Sequence, residues 1–185
     1  LILLSSQVFS QPYTVRIQEL TINNKQYDGT TSATINFSGG LYYHGNQGPY
    51  NDGDPVGEVG LSIVTTNAVA TFASKDVGTG IGVTVTGLAI TGNANYNLNS
   101  TTYSTATANI TTKSLIVKAN DANKQYSNNA STDPAFTVSY TGFVAGEGPG
   151  NLGGTLSVTR ATGETLGTYT ITPSGLTSSN YSISF

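Results

Sequence analysis

Cysteine, methionine and tryptophan are absent from the 185 residues, and only 9% of the chain is charged. Without cysteine there is no disulfide frame, no thiolate nucleophile and no thiolate metal site. Such a chain outside the cell must hold itself by core packing and strand pairing. Seven Lys and Arg against ten Asp and Glu give a net charge of −3. That excludes the basic footprint which displaces counterions from nucleic-acid phosphates, and equally a polybasic hold on anionic lipid. No stretch is apolar for the roughly 20 residues a membrane-spanning helix needs. The only histidine, His44, lies in the glycine-rich stretch LYYHGNQGPY with no serine in an activating motif, so a Ser–His pair has no support. Helical spacing is missing too, because Gly or Asn interrupts every stretch of about a dozen residues.

What the chain does have is Thr, Ser, Asn and Gly, close to half of it together. With few charges, hydroxyls and amides supply the solubility, and the branched Thr side chain suits a pleated surface. A surface of this kind depends little on salt or pH and fits an exported protein. Alternation of period two runs throughout. Val83 and Val85 alternate with Thr84 and Thr86; Ala106, Ala108 and Ile110 alternate with Thr105, Thr107, Asn109 and Thr111. Phe136, Val138 and Tyr140 share one parity, as do Leu156 and Val158, Tyr169 and Ile171, and Tyr181, Ile183 and Phe185. Each set can face a core while its neighbours face water. Gly, Asn and Pro turn signals separate the runs. The expected class is all-β, as two tandem antiparallel β-sandwich (Ig-like) modules, with a β-grasp arrangement as the alternative for the second.

The chain also repeats itself. NKQY occurs at 24–27 and again at 123–126, each time after an alternating run. VTVTGLAITGNANYNL at 83–98 finds a partner in YTITPSGLTSSNYSI at 169–183: a strand, Gly-Leu, a polar turn, then Asn-Tyr and another strand. The expected division is an N-terminal extended segment at 1–12, a first module at 13–112 and a second at 113–185. With almost no linker between them, two short modules favour a stiff rod over a hinged pair. The first module carries an insertion at 39–58. The second stops at Phe185, without a counterpart to the strand STATANIT that closes the first.

Lys25, Tyr27, Asp28, Gly29, Thr30 and Thr31 form Lys-x-Tyr-Asp-Gly-Thr-Thr, and with the blocks at 70–98 and 106–111 the first module resembles the YDG repeat domain. SLIVKANDANKQYSNNASTDPAFTVSYTGFVAGE and the block from Gly154 to Phe185 are similar to the MBG domain, named as mostly β and glycine-rich. The resemblance implies a piece of a very large bacterial surface or secreted adhesin, extracellular, built of such repeats in tandem. The 39–58 insertion departs from that pattern, and so does the early stop. Expected partners are neighbouring repeats or copies of the same chain, and a host or surface glycan or protein.

Few residues point to chemistry, and no enzyme activity or cofactor is expected. Lys25 with Asp28 could pair catalytically, but the second copy replaces Asp28-Gly29 by Ser127-Asn128, which keeps turn chemistry and loses the carboxylate. The Tyr of each copy is expected to pack its ring at the core edge with its hydroxyl on a loop backbone group. Asp52, Asp54 and Glu58 gather oxygen ligands on a Gly-containing loop, the hard donors that calcium takes, against the plain reading of a polar turn. Tyr42, Tyr43 and Tyr50 flank the insertion; they could stack on a sugar or a protein, or close the module on themselves. Asn-x-Ser/Thr begins at Asn36, Asn99, Asn109, Asn129 and Asn180, no more often than chance in so rich a composition.

The two ends offer a further pattern. Leu1, Ile2, Leu3, Leu4, Val8 and Phe9 form an apolar extended segment, read either as the remnant of a secretory leader or as a strand. A module short of its last strand exposes an edge at Tyr181, Ile183 and Phe185. Either the chain is cut from a longer one, or a neighbour's segment 1–9 fills that edge head to tail.

Overall fold

The computed structural model describes residues 12–36, 39–57, 60–129 and 132–185, and the chain is all-β. The strands of the first half are β1 (Tyr13–Gln18), β2 (Thr21–Ile22), β3 (Lys25–Gln26), β4 (Ser32–Ala33), β5 (Ile35–Asn36), β6 (Gly40–Tyr43), β7 (Ser62–Val64), β8 (Val69–Phe72), β9 (Gly78–Thr86), β10 (Ala89–Thr91), β11 (Tyr96–Leu98) and β12 (Tyr103–Thr111). Those of the second are β13 (Lys113–Ala119), β14 (Val138–Thr141), β15 (Gly153–Arg160), β16 (Ile171–Thr177) and β17 (Tyr181–Ser184), with a 3-10 turn at Pro149–Asn151. Two compact units result. Unit 1 holds residues up to Lys25 with Thr31–Ser74 and Thr79–Asn109; unit 2 holds Gln26–Thr30, Lys75–Gly78 and Ile110–Phe185. The Tyr-Asp-Gly-Thr turn thus belongs to unit 2.

In unit 1, β1 pairs antiparallel with β6, Val15 opposite Tyr43, and parallel with β11, Tyr13 opposite Tyr96. Two ladders complete the frame, β7 with β10 and β8 with β9, and a five-stranded sheet runs in the order β3-β12-β9-β8-β4. The alternation buries as expected: Val83, Val85, Ala106 and Ala108 are in the core, with Val15, Ile17, Leu20, Ile22, Tyr43, Ala70, Phe72 and Leu88. Thr84 and Thr86 are exposed.

Unit 2 repeats the frame. Its opening strand β13 pairs antiparallel with β14 and parallel with β17, Lys113 opposite Tyr181, and β15 pairs antiparallel with β16. A purely antiparallel arrangement is therefore corrected: in each unit the strand that opens it lies parallel beside the Asn-Tyr strand. The same position starts the pairing in both units. The Asn95 carbonyl accepts from the Tyr13 N–H at 2.7 Å, and the Asn180 carbonyl from the Lys113 N–H at 3.0 Å. Burial is shallower here. Ile110, Leu115, Val117, Tyr181 and Tyr27 form the core, whereas Leu156 and Phe185 are exposed although their parity is right.

The shared Gly-Leu has its cause in a close backbone approach. Gly87 and Gly175 both have positive φ, 75° and 89°. A Cβ on Gly87 would lie 2.4 Å from the Asn67 carbonyl oxygen, and one on Gly175 2.3 Å from that of Thr155. Gly175 sits beside the register shift of the β15–β16 ladder and Gly87 just past the end of β9, and at both only glycine lets the opposite backbone approach so closely.

Candidate functional site

The residues of the Tyr-Asp-Gly-Thr turn hold one another and the core of unit 2. Asp28 Oδ1 accepts from the Thr30 N–H and from its hydroxyl, both at 2.9 Å, the local bonding by which Asp closes turns. Gly29, at φ 76°, would place a Cβ 3.2 Å from Val144 Cγ2. Tyr27, 2% exposed, donates its hydroxyl to Glu147 Oε1 at 2.5 Å. Tyr181 donates to Glu147 Oε2 at 2.5 Å and accepts from the Val144 N–H at 3.0 Å. The two rings meet edge to face at 5.5 Å, and Phe143 lies edge-on to Tyr181 at 5.4 Å. Asn180 extends the set, donating to Asp76 Oδ1 at 2.9 Å and accepting from the Val77 N–H at 3.0 Å. The hydroxyl of Tyr27 thus finds a carboxylate where a backbone group was expected.

Glu147 is the centre of this arrangement. Hydrogen bonds from Tyr181 and Tyr27 hold its carboxyl below the usual range, with Lys75 adding 3.9 Å away. Burial first, and then the Glu147 carboxylate, push the hydroxyls of Tyr27 and Tyr181 above the ordinary phenol range. Each group is fixed in one protonation state by its neighbours, the pattern of a structural clasp.

In the insertion, Tyr43 is 2% exposed and stacks on Tyr50 with centroids 4.1 Å apart. Tyr13 meets both rings edge-on, and the Tyr43 and Tyr96 hydroxyls lie 3.4 Å apart. Burial, and after it the Tyr96 hydroxyl, raise the Tyr43 hydroxyl above the phenol range. The loop thus closes on its own tyrosines. Tyr42 is half-buried with its hydroxyl 3.4 Å from Glu19, and Tyr50 is 36% exposed. Gln47 pins the loop: its side chain accepts from the Thr14 N–H at 2.7 Å and donates to the Thr14 and His44 carbonyls at 2.6 Å.

Of the calcium set, Glu58 lies outside the described residues. Asp52 accepts from the Gly45 N–H at 2.8 Å and pairs with Arg16 at 3.0 Å; the Gly45 bond first, then Arg16, lower its carboxyl. Asp54 Oδ2 accepts from the Asn51 N–H at 2.7 Å. Among the described residues no three His, Cys, Asp or Glu side chains are placed to hold a metal ion. Leu1, Ile2, Leu3, Leu4, Val8 and Phe9 also lie outside the described residues. At the other end, β17 is an outer strand: Tyr181 is buried, Ile183 half-buried and Phe185 52% exposed.

Two features had no sequence signal. Glu147 is a lone acid in a glycine-rich loop, 120 residues from Tyr27. Lys124, Asp133, Arg160 and Glu164 join in one network, with Asp133 bridging Lys124 (2.5 Å) and Arg160 (2.9 Å), and Glu164 bridging the same two (2.8 and 2.6 Å). The cations hold both carboxyls low, and the carboxylates raise both cations. The network lies in a cleft of about 740 Å³ edged by Tyr126 and Leu166. Its four members are spread from residue 124 to residue 164 and meet only in the fold.

The fold and its sites define a class: an all-β repeat module whose signature residues build a turn and a clasp. The chain belongs to the YDG domain family, whose model matches residues 11–107, and continues as an MBG domain (YGX type) over 115–185. No curated protein and no solved structure matches it. Among the described residues no helix is long and apolar enough to cross a membrane.

Proposed function

We propose that the chain is a structural module of an exported bacterial surface protein, one that spaces and presents what the protein carries. YDG and MBG modules are compatible with such a surface role. The observation that supports it best is the parallel pairing of opening and Asn-Tyr strands in both units, β1 with β11 and β13 with β17. Strands pulled from opposite ends of a parallel pair share the load over all their ladder bonds, whereas strands pulled from one end break them in turn. A tether exposed to flow or to a host surface needs the first geometry. The test is single-molecule extension of unit 2 between residue 112 and Phe185: one abrupt rupture releasing about 25 nm is expected, and gradual extension at low force would refute it. Polymerisation by strand donation is the further form of this role. It would use the outer edge of β17, which no strand covers among the described residues; a chain lacking residues 1–12 should then no longer polymerise on size exclusion.

A second reading, a carbohydrate- or protein-binding module, is favoured by one feature: a loop held by Gln47 and Asp52 that leaves Tyr50 exposed and Tyr42 half-buried. Glycan-array binding lost in Tyr42→Ala and Tyr50→Ala would support it.

A further inference from the structure

The two units repeat one plan residue by residue. Phe72 opposes Val83 at the end of one ladder, and Arg160 opposes Ile171 at the end of the other. Ala73 N–H donates to the Gly82 carbonyl as Ala161 N–H does to that of Thr170. The loops between are equal in length, so Lys75–Gly78 corresponds to 163–166 and Asp76 to Glu164. The Lys-Gln-Tyr copies likewise align Gln26–Thr30 with 125–129, and the positive φ of Gly29 (76°) recurs at Asn128 (45°).

Corresponding residues nevertheless have opposite surroundings. Gln26–Thr30 and Lys75–Gly78 belong to unit 2, where Tyr27 is 2% exposed and Asp76 accepts from Asn180. Of their counterparts, Gln125, Tyr126 and 163–166 line the open cleft. There Tyr126 is 62% exposed and Leu166 85%, and Tyr126 makes no hydrogen bond or ring contact among the described residues. Tyr126 is thus an exposed ring where its counterpart Tyr27 is a buried one.

We propose that this end of unit 2 is the docking surface for a further MBG-type unit, which takes up Tyr126 and 163–166 as unit 2 takes up Tyr27 and Lys75–Gly78. This rests on the structural role proposed above. The partner is defined by its chemistry: a carboxylate beside a tyrosine ring, as Glu147 lies beside Tyr181, followed by an Asn-Tyr strand. A second copy of this chain offers no vacancy in unit 2, because Tyr27 already fills that position. Unit 1 offers none either, since Tyr96, the counterpart of Tyr181, is packed against Tyr13 and Tyr43.

The test extends the whole chain after Phe185 with a second copy of residues 101–185, Ser100 being the counterpart of Phe185. Nitration of Tyr126 by tetranitromethane, read by peptide mass spectrometry, should slow about tenfold in the extended chain, as access comes to require local opening. Glu147→Gln in the appended copy alone should restore part of the rate. An unchanged rate would overturn the proposal. So would protection of Tyr126 by a neutral saccharide, which would make the cleft a ligand site, or protection that rises with the concentration of the unextended chain. A second measurement needs no extension: Tyr126→Ala should leave the Tm of the 185-residue chain within about 1 °C, against a loss of several degrees for Tyr27→Ala. Equal losses would show Tyr126 already engaged within unit 2 and end the idea. Failure of the mechanical role is read separately, from the extension experiment on unit 2.

Discussion

Tyr27 and Tyr126 end the same Asn-Lys-Gln-Tyr stretch, yet Tyr27 is 2% exposed with its hydroxyl on Glu147, and Tyr126 is 62% exposed. Identical residues take different energetic roles because the groups around them differ. Tyr27→Phe should cost about 1–2 kcal/mol, the loss of a buried bond to a carboxylate. Tyr27→Ala should cost about 3–5 kcal/mol, as removal of a core ring does. Tyr126→Phe should stay within about 0.5 kcal/mol, as surface changes do. Urea denaturation of the three variants decides.

The clasp also sets a pH dependence. Glu147 has a depressed carboxyl, so its contribution is complete above the ordinary glutamate range, about pH 4–5, and is lost as pH falls through its lower folded-state value. Tyr27 and Tyr181 are raised, so theirs is complete below about pH 10 and lost above it. Stability measured against pH should therefore fall at both extremes. Glu147→Gln should lower the plateau and flatten the acid limb that Glu147 contributes; an acid limb of undiminished slope would assign it to Asp133 and Glu164 instead.

The two glycines of the shared Gly-Leu give a paired prediction. Gly87→Ala and Gly175→Ala each place a Cβ against a backbone carbonyl at positive φ, and each should cost at least about 2 kcal/mol. Gly57→Ala, with open space around it, should cost under about 0.5 kcal/mol. Thermal melts of the three variants check the contrast.

Much of this was legible from period and repetition. The alternation of Val83, Val85, Ala106 and Ala108 placed the unit 1 core correctly because both faces of those strands differ so sharply in polarity. The Gly-Leu and Asn-Tyr repeats marked real features, a close backbone approach at positive φ and a strand start. What escaped was long-range. Alternation cannot tell a parallel neighbour from an antiparallel one, so the β1–β11 and β13–β17 pairings were invisible. Nothing local in Glu147 announces two tyrosines distant in sequence, and nothing in the second Lys-Gln-Tyr separates a buried ring from an exposed one. In the insertion, clustering of Tyr42, Tyr43 and Tyr50 was plain, but which ring turns inward depends on Tyr13 and Tyr96.

Gln47 should govern the insertion more than any tyrosine at its surface. Its amide satisfies both backbone groups of Thr14 and the His44 carbonyl. Gln47→Ala leaves those groups unpaired, and amide hydrogen exchange over residues 44–55 should accelerate by about tenfold or more. Tyr42→Ala should leave that exchange close to its native rate.

The absence of cysteine permits the most direct test of the mechanical role, because handles can be attached at two introduced thiols alone. Thr112→Cys with Phe185→Cys pulls β13 and β17 from opposite ends of their parallel pair; Thr112→Cys with Ser179→Cys pulls them from the same end. A structural tether predicts that the first pair ruptures abruptly at a force several times that of the second. Equal forces along the two axes would contradict it.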